Sequence, residues 1–480
     1  MSIDRRHFFQ ASAALGASFA LPAPLLAATG AKEKRIELSP SAFSVALDPA
    51  DAARTGVWGF NETLPGPKQR FRRGDQVHFA VRNDLPQDTA VHWHGLRVPN
   101  AMDGVPRVTQ HPIAPGGRFD YRFELRDSGT YWYHPHQASF EQVSRGLYGA
   151  LIVEEEKPPQ VDRDEVWVVS DIKLDARRQQ VEDFGRILDI ANDGRIGNQI
   201  LVNGLVAGPQ RKLEVRAGER LRLRLINAAS ARFFRLAIDG HEARIIAFDG
   251  QGVTPHPLPA DGLALGPGMR VDLIIDCMGA PGQSFSLRDL GRPPAAATVL
   301  GTLAYSAQPA LRGKPLNAPV ALAPNRIAEP DLAKASDHYI MFQGGMRGTP
   351  VIGLVDGKPS RIQEIIAKQG LAWTMNYNAQ HEAALMHEPL LQLRTGEHVM
   401  LHMVNETDFF HPMHLHGHFF RVLAIDGQAT PLREWRDTVI MAPRQSMDVA
   451  FVADNPGEWM YHCHILDHAA GGMMGTIVVE

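Results

Sequence analysis

The chain has 480 residues, 44% hydrophobic and 21% charged, which excludes a fibrous or disordered protein and fits two to four globular domains. A net charge of -4 gives no general attraction to nucleic acid or to an anionic membrane surface. The only cysteines are Cys277 and Cys463, so at most one disulfide can form, and none if Cys463 holds a metal.

Residues 1–28 read as an export signal. Arg5-Arg6-His7-Phe8-Phe9 precedes a weakly apolar stretch, Ala11 to Leu26, and then small residues. The paired arginines resemble a twin-arginine signal, whose export machinery delivers folded, cofactor-loaded proteins to the bacterial periplasm. An ordinary export signal that happens to hold two arginines is the alternative. Pro22 and Pro24 interrupt the stretch, so no stable membrane insertion is expected.

The rest of the chain repeats itself. Gly74-Asp75 leads through Val77, Phe79 and Val81 to Asn83; Gly218-Glu219 through Leu221, Leu223 and Leu225 to Asn227; Gly396-Glu397 through Val399, Leu401 and Met403 to Asn405. The spacing from glycine to asparagine is nine residues each time, and the alternation has period two. Each segment is therefore expected to be a strand with one buried face, opened by a Gly-acid turn. A second landmark recurs near the end of each copy. Gly129 precedes Tyr131-Trp132-Tyr133-His134, Gly282 precedes Phe285-Ser286-Leu287, and Gly457 precedes Trp459-Met460-Tyr461-His462. Short alternating strands between Gly/Pro-rich turns predict an all-β chain of tandem β-sandwiches, with one helix-like piece at Arg361 to Lys368. Boundaries fall near Glu154-Pro159 and in the Pro/Ala-rich stretch Gln308 to Pro330, which reads as a linker crossing the molecule.

Twenty-one histidines placed at random would give about one His-x-His pair. Four well-framed pairs occur: His92/His94, His134/His136, His414/His416 and His462/His464. On an extended strand, residues two apart share a face, so each pair offers two imidazoles to one metal site. His92 and His94 follow Asn83 by nine and eleven residues, and His414 and His416 follow Asn405 by the same offsets. The second landmark places His134/His136 and His462/His464 alike. At these offsets the middle copy has Leu236, Ile238, Leu287 and Asp289. Two matching faces of four histidines, meeting across a domain interface, are enough for three coppers with positions left open for oxygen. Structural histidines are the alternative for any one pair, but not for four pairs at matched offsets. Structural zinc wants four closed ligands and leaves a further cluster unexplained. That cluster is His411, Cys463, His468 and Met473: two imidazoles, a thiolate and a weak thioether, the donor set of a blue-copper electron-transfer site. Alternation points Cys463 away from His462 and His464, so three consecutive residues can serve metals on both sides of a strand and connect them.

His92-Trp93-His94-Gly95, His134-Pro135-His136, His411-Pro412-Met413-His414-Leu415-His416-Gly417 and His462-Cys463-His464-Ile465-Leu466-Asp467-His468 through Met473 resemble the copper motifs of the three-domain multicopper oxidases, the laccases and cuprous oxidases. The resemblance implies cupredoxin-like Greek-key sandwiches over residues 32–156, 160–307 and 331–480. It also implies four copper ions: type 1 at His411, Cys463, His468 and axial Met473; type 2 at His92 and His414; one type 3 at His94, His134 and His464, the other at His136, His416 and His462. Asp103 matches an acid that relays protons beside the type 2 copper, with a turn residue in Met102-Asp103-Gly104 as its alternative. The catalytic residues implied are Cys463, His462, His464 and Asp103. Many bacterial members carry a glutamate directly after the last type 1 histidine; here that residue is Ala469, and Asp467 lies on the other side.

The expected partners are dioxygen and a small reducing substrate, with a monomer as the working state. The substrate is a phenol or aromatic amine in a laccase-like enzyme, or copper(I) in a copper-tolerance oxidase. A non-catalytic binding protein on the same fold is the third reading, and the complete ligand set opposes it. Twelve of the 16 methionines lie at or after Met341, but no dense methionine run exists. His78, His111, His241, His256, His338, His381, His387, His398, His402 and His418 match no ligand position.

Overall fold

The computed structural model describes residues 33–291, 296–347, 352–355, 358–380 and 388–480; the expected export segment, His381 and His387 lie outside them. The three repeated strands run Gln76–Arg82, Arg220–Asn227 and His398–Asn405. Gly74, Gly218 and Gly396 open them at φ of 88°, 83° and 83°, where a side chain would be strained. The acid that follows folds its carboxylate back onto the backbone N–H three residues earlier. Asp75 accepts from Arg72 at 2.7 Å, Glu219 from Arg216 at 2.9 Å and Glu397 from Arg394 at 2.9 Å. The terminal asparagine closes the corner in each copy. Its carbonyl accepts the N–H two residues on, and its amide donates to a carbonyl of the next loop and to one from a more distant segment.

Each repeated strand has one parallel and one antiparallel neighbour. These are Lys34–Leu38 and Arg118–Glu124 in the first copy, Arg163–Ile172 and Arg270–Asp276 in the second, and Ser336–Gly344 and Ser446–Val452 in the third. A second sheet completes each sandwich in one order. In the third copy Leu391–Leu393 lies parallel to Met474–Val479, which pairs with Gly457–Cys463, then His411–Leu415, then Thr438–Met441. The first copy has the equivalent order from Gly66–Arg72 through Gly149–Glu154 and Gly129–His134 to His92–His94. The parallel pairings require crossovers between the sheets, so the topology is that of a Greek-key, cupredoxin-like sandwich. The core of each copy lies between its sheets: Val77, Phe79 and Val81 against Trp93 and Tyr133; Leu221, Leu223 and Leu225 against Leu236 and Leu303; Val399, Leu401 and Met403 against Met413, Tyr461 and Cys463.

The expectation of one buried face per repeated strand holds only for His398–Asn405. Arg220–Asn227 is buried along its whole length. Its outward arginines meet acids rather than water: Arg222 bonds Glu155 at 2.6 and 2.9 Å and Asp272 at 2.6 Å, and Arg224 bonds Asp164 at 2.7 and 2.8 Å. The stretch 306–335 contains no strand and is tied down along its path. Arg312 bonds Asp162 at 2.6 Å, Asn325 bonds Ser128 and Gln251 at 2.8 Å, and Arg97 bonds the Arg326 carbonyl at 2.9 Å. The helix predicted near Arg361 runs Ile362–Gln369 and ends at Gly370. Among the described residues no helix is long and apolar enough to cross a membrane.

Candidate metal centres

The registers of the two histidine-bearing sandwiches match. His92 faces His134 across one pair of strands, and His414 faces His462 across the other. In the middle copy the equal offsets predict Leu236 opposite Leu287, but the strands pair with Asp289 opposite Leu236 and Leu287 opposite Ile238. The shift is two residues, so the parity is kept, and among the described residues of the middle copy no group of metal donors gathers.

The two histidine faces meet between the first and third copies. His92 stacks on His416 with ring centroids 3.9 Å apart, and His94 on His414 at 3.8 Å. Nε2 of His462 lies 3.1 Å from Nε2 of His416 and 3.4 Å from that of His136. Among the described residues, three groups made of histidine alone have donor atoms within 4.8 Å of one another: His92, His94 and His414; His94, His134 and His464; His136, His416 and His462. Both expected triplets are brought together, and His94 also stands beside the expected His92–His414 pair.

The nitrogens left over carry the test of fit. Nδ1 of His92, His134, His414 and His462 donates to the carbonyls of Asp103, Pro135, Asp437 and Cys463 at 2.8–3.0 Å. A carbonyl only accepts, so Nε2 in these rings carries the lone pair. Nε2 of His92, His134 and His414, Nδ1 of His94, and both nitrogens of His464 are buried with no hydrogen-bond partner. An unsatisfied buried polar group costs roughly 1–3 kcal/mol, and a bound cation removes that cost. Burial and the neighbouring imidazoles hold His94, His134, His136, His416 and His464 well below the usual histidine range, and His462 falls to about 3. The rings are thus neutral, the form that binds a metal. Copper(II) and imidazole donors suit each other.

Strand alternation sends Cys463 the other way. Its Sγ lies 3.6 Å from His411 Nδ1 and 3.7 Å from His468 Nδ1, and these two nitrogens are 3.1 Å apart. Nε2 of His411 bonds Thr407 Oγ1 at 2.8 Å, and Nε2 of His468 donates to the Asn192 carbonyl at 2.5 Å, so Nδ1 faces the sulfur in both rings. Met473 is buried in the same core, and its carbonyl accepts the Cys463 N–H at 3.0 Å. The Trp373 ring covers His468 at 4.3 Å and His411 at 5.1 Å. Burial pushes the Cys463 thiol up, so a cation beside the sulfur is needed to hold it as thiolate.

Asp103 lies behind the histidines. Its Oδ2 accepts His416 Nδ1–H at 2.8 Å, and its backbone carbonyl takes His92. Ala469 sits in an apolar cluster with Val105, Met460 and Met474. Asp467 is buried, with Oδ2 accepting the Arg195 N–H at 2.9 Å, and burial pushes it up to about 6. His418 bonds the His416 carbonyl and the Asn455 N–H, away from the clusters. The sequence reading missed Asp437, Thr438, Arg270, Asn192 and Trp373. Asp437, Thr438, Asn192 and Trp373 contact a histidine from another part of the chain and Arg270 acts through Asp437, and none stands at a repeated offset that would have marked it.

Multicopper oxidase family models match residues 44–158, 170–308 and 355–480. The multicopper oxidase MmcO of Mycobacterium tuberculosis is 30% identical over 440 residues, covering 86% of this chain and 81% of that protein. A copper resistance protein A homolog of Pseudomonas syringae is 27% identical, covering 89% and 90%. The crystal structure of a multi-copper oxidase from Pseudomonas thermotolerans superposes with a TM-score of 0.80 at 32% identity, covering 94% of this chain and 100% of that one. Matches to all three copies, together with relatives of comparable length, establish that the chain belongs to the multicopper oxidases and is an oxidoreductase whose family works with copper.

Proposed function

We propose that this oxidase is laccase-like, taking electrons singly from phenols or aromatic amines and delivering them to dioxygen. In this reading His411, Cys463, His468 and Met473 hold a type 1 copper, His92 and His414 a type 2 copper, and the triplets His94/His134/His464 and His136/His416/His462 a type 3 pair. Four coppers held so supply one-electron oxidation at the first site and four-electron reduction of dioxygen to water at the others. Cys463 joins the two regions through its own backbone, since His462 and His464 flank it. The carbonyls behind the histidines fix their tautomers and orientation. Asp103 is the proton carrier: Oδ2 is engaged by His416, while Oδ1 is buried without a hydrogen-bond partner and can hold a proton beside the histidines.

The observation that carries the substrate reading is a cavity of about 480 Å³ with His468 in its wall. Phe233, Phe410, Ile196 and Ile465 line it, and the described lining holds no methionine or cysteine to take copper(I). The rings of Phe233 and Phe410 lie 5.9 Å apart, an apolar surface suited to a planar aromatic. Copper(I) is the second reading. It is favoured by Met346, 56% exposed, whose sulfur lies 3.7 Å from the Asn192 amide next to the carbonyl that holds His468, and by the relative named for copper resistance. We further read residues 1–28 as a twin-arginine signal to the periplasm, the copies as domains 32–156, 160–307 and 331–480, and the enzyme as a monomer. Dioxygen uptake by copper-loaded protein tests the substrate. Faster uptake with a phenol than with copper(I), unchanged in Met346→Leu, supports the aromatic reading; the reverse preference, abolished by Met346→Leu, overturns it.

A further inference from the structure

The middle copy holds none of the clustered histidines, yet one of its side chains grips a residue that touches them. Arg270 is wholly buried, and its guanidinium grips Asp437 of the third copy at 2.7 Å through Nη1 and 2.6 Å through Nη2. Nε donates to the Thr130 carbonyl of the first copy at 3.1 Å, and Nη1 also meets the Gly268 carbonyl at 3.2 Å. One side chain thus ties all three copies at the edge of the histidine cluster. Gly95, directly after His94, makes room for it: a Cβ there would stand 2.2 Å from Arg270 Nη2 and 2.7 Å from Asp437 Oδ2.

Asp437 is the contact that matters. Its carbonyl takes the His414 Nδ1–H at 2.9 Å. Its Oδ1 accepts the Thr438 hydroxyl at 2.7 Å and lies 3.4 Å from His94 Nε2. With the Thr438 proton spent on Asp437, the oxygen that faces His94 Nε2 at 3.3 Å can only accept. His94 Nε2 therefore carries its hydrogen, and Nδ1 is left as the buried, unpartnered lone pair. This is the reverse of the tautomer that the backbone carbonyls impose on His92, His134, His414 and His462.

We propose that Arg270 is a positioning residue for the histidine cluster: by clamping Asp437 it sets the inverted tautomer of His94 and the orientation of His414. The proposal rests on the copper reading given above. It also gives the metal-free middle copy a direct part in the site. The bidentate fork is what a lysine cannot reproduce, although lysine keeps the charge.

The test compares wild type, Arg270→Lys and Asp437→Asn. It uses thermal unfolding of the copper-free proteins, chelator competition for copper, the paramagnetic resonance of the type 2 centre, and the blue absorption of the Cys463 centre as internal control. The proposal expects folded variants with the wild-type blue band, copper held 10–100-fold more weakly in the histidine cluster, and an altered type 2 signal. A wild-type signal and affinity in a folded Arg270→Lys protein would overturn it. So would equal weakening of both centres, or failure of both variants to fold, since either makes the ion pair a scaffold contact only. If only Arg270→Lys fails to fold, Asp437→Asn decides by the same criteria. Wild-type protein that binds copper at the Cys463 centre alone would instead refute the underlying reading of the histidines.

Discussion

Asp103 has two duties in this account, and two substitutions separate them. Its Oδ2 anchors the buried His416 Nδ1–H at 2.8 Å, and its free Oδ1 is read as the proton carrier. Asp103→Ala removes the anchor and leaves one buried N–H unpaired, a cost of roughly 1–3 kcal/mol. At about 1.4 kcal/mol per tenfold, that cost corresponds to roughly 5- to 150-fold weaker copper binding at the histidine cluster. Asp103→Asn keeps the shape and offers its amide oxygen to His416, so copper binding should stay close to wild type. It has no exchangeable carboxyl proton, so turnover should fall by about 10²–10⁴-fold, the usual weight of a general acid. Copper affinity by chelator competition and steady-state dioxygen uptake read the two effects separately. An Asp103→Asn enzyme that turns over like wild type would refute the proton role. Equal copper loss in both variants would refute the division of duties.

Cys463→Ser should abolish the blue absorption while copper is retained at the histidine cluster, because the sulfur faces away from those rings; visible spectroscopy with copper analysis checks it. Leu223→Ala removes a fully buried side chain from the middle core and should cost about 2–5 kcal/mol, read as a lowered midpoint in calorimetry. Burial alone would raise Asp164, but hydrogen bonds from Arg224 and Arg70 outweigh it and hold the carboxyl at about 2 in the folded protein. A carboxyl lowered by folding stabilises above its ordinary value of 3.8 and loses that contribution as pH falls toward about 2. Asp164→Asn should therefore flatten the acid limb of stability against pH between about 4 and 2, and a limb as steep as that of wild type would contradict the argument.

The parts of the fold readable from sequence are those set by short-range geometry. A period of two places His92 and His94 on one face whatever else surrounds them. The repeated Gly-acid turn and corner asparagine were visible because each makes its hydrogen bonds locally or to a fixed neighbouring strand. What stayed hidden depends on contacts between copies. The alternation of Arg220, Arg222 and Arg224 with leucines reads as a solvated face until Glu155 and Asp164 are brought against it. The middle copy pairs Leu236 with Asp289 rather than Leu287, a register two residues away from the one that the offset count gives. Arg270 and Asp437 are 167 residues apart, and Asn192 is 276 residues from the histidine it holds. The chemistry of such residues comes from the partners that folding supplies.

The central claim is that electrons leave a small aromatic donor one at a time and reach dioxygen four at a time. Stoichiometry tests it most directly: dioxygen consumed against phenol oxidised by the copper-loaded enzyme, with a peroxide assay on the same samples. The account predicts four one-electron oxidations per dioxygen and no accumulated peroxide. Two oxidations per dioxygen with peroxide released, or full copper loading with no dioxygen uptake from any phenol, aromatic amine or copper(I), would contradict it.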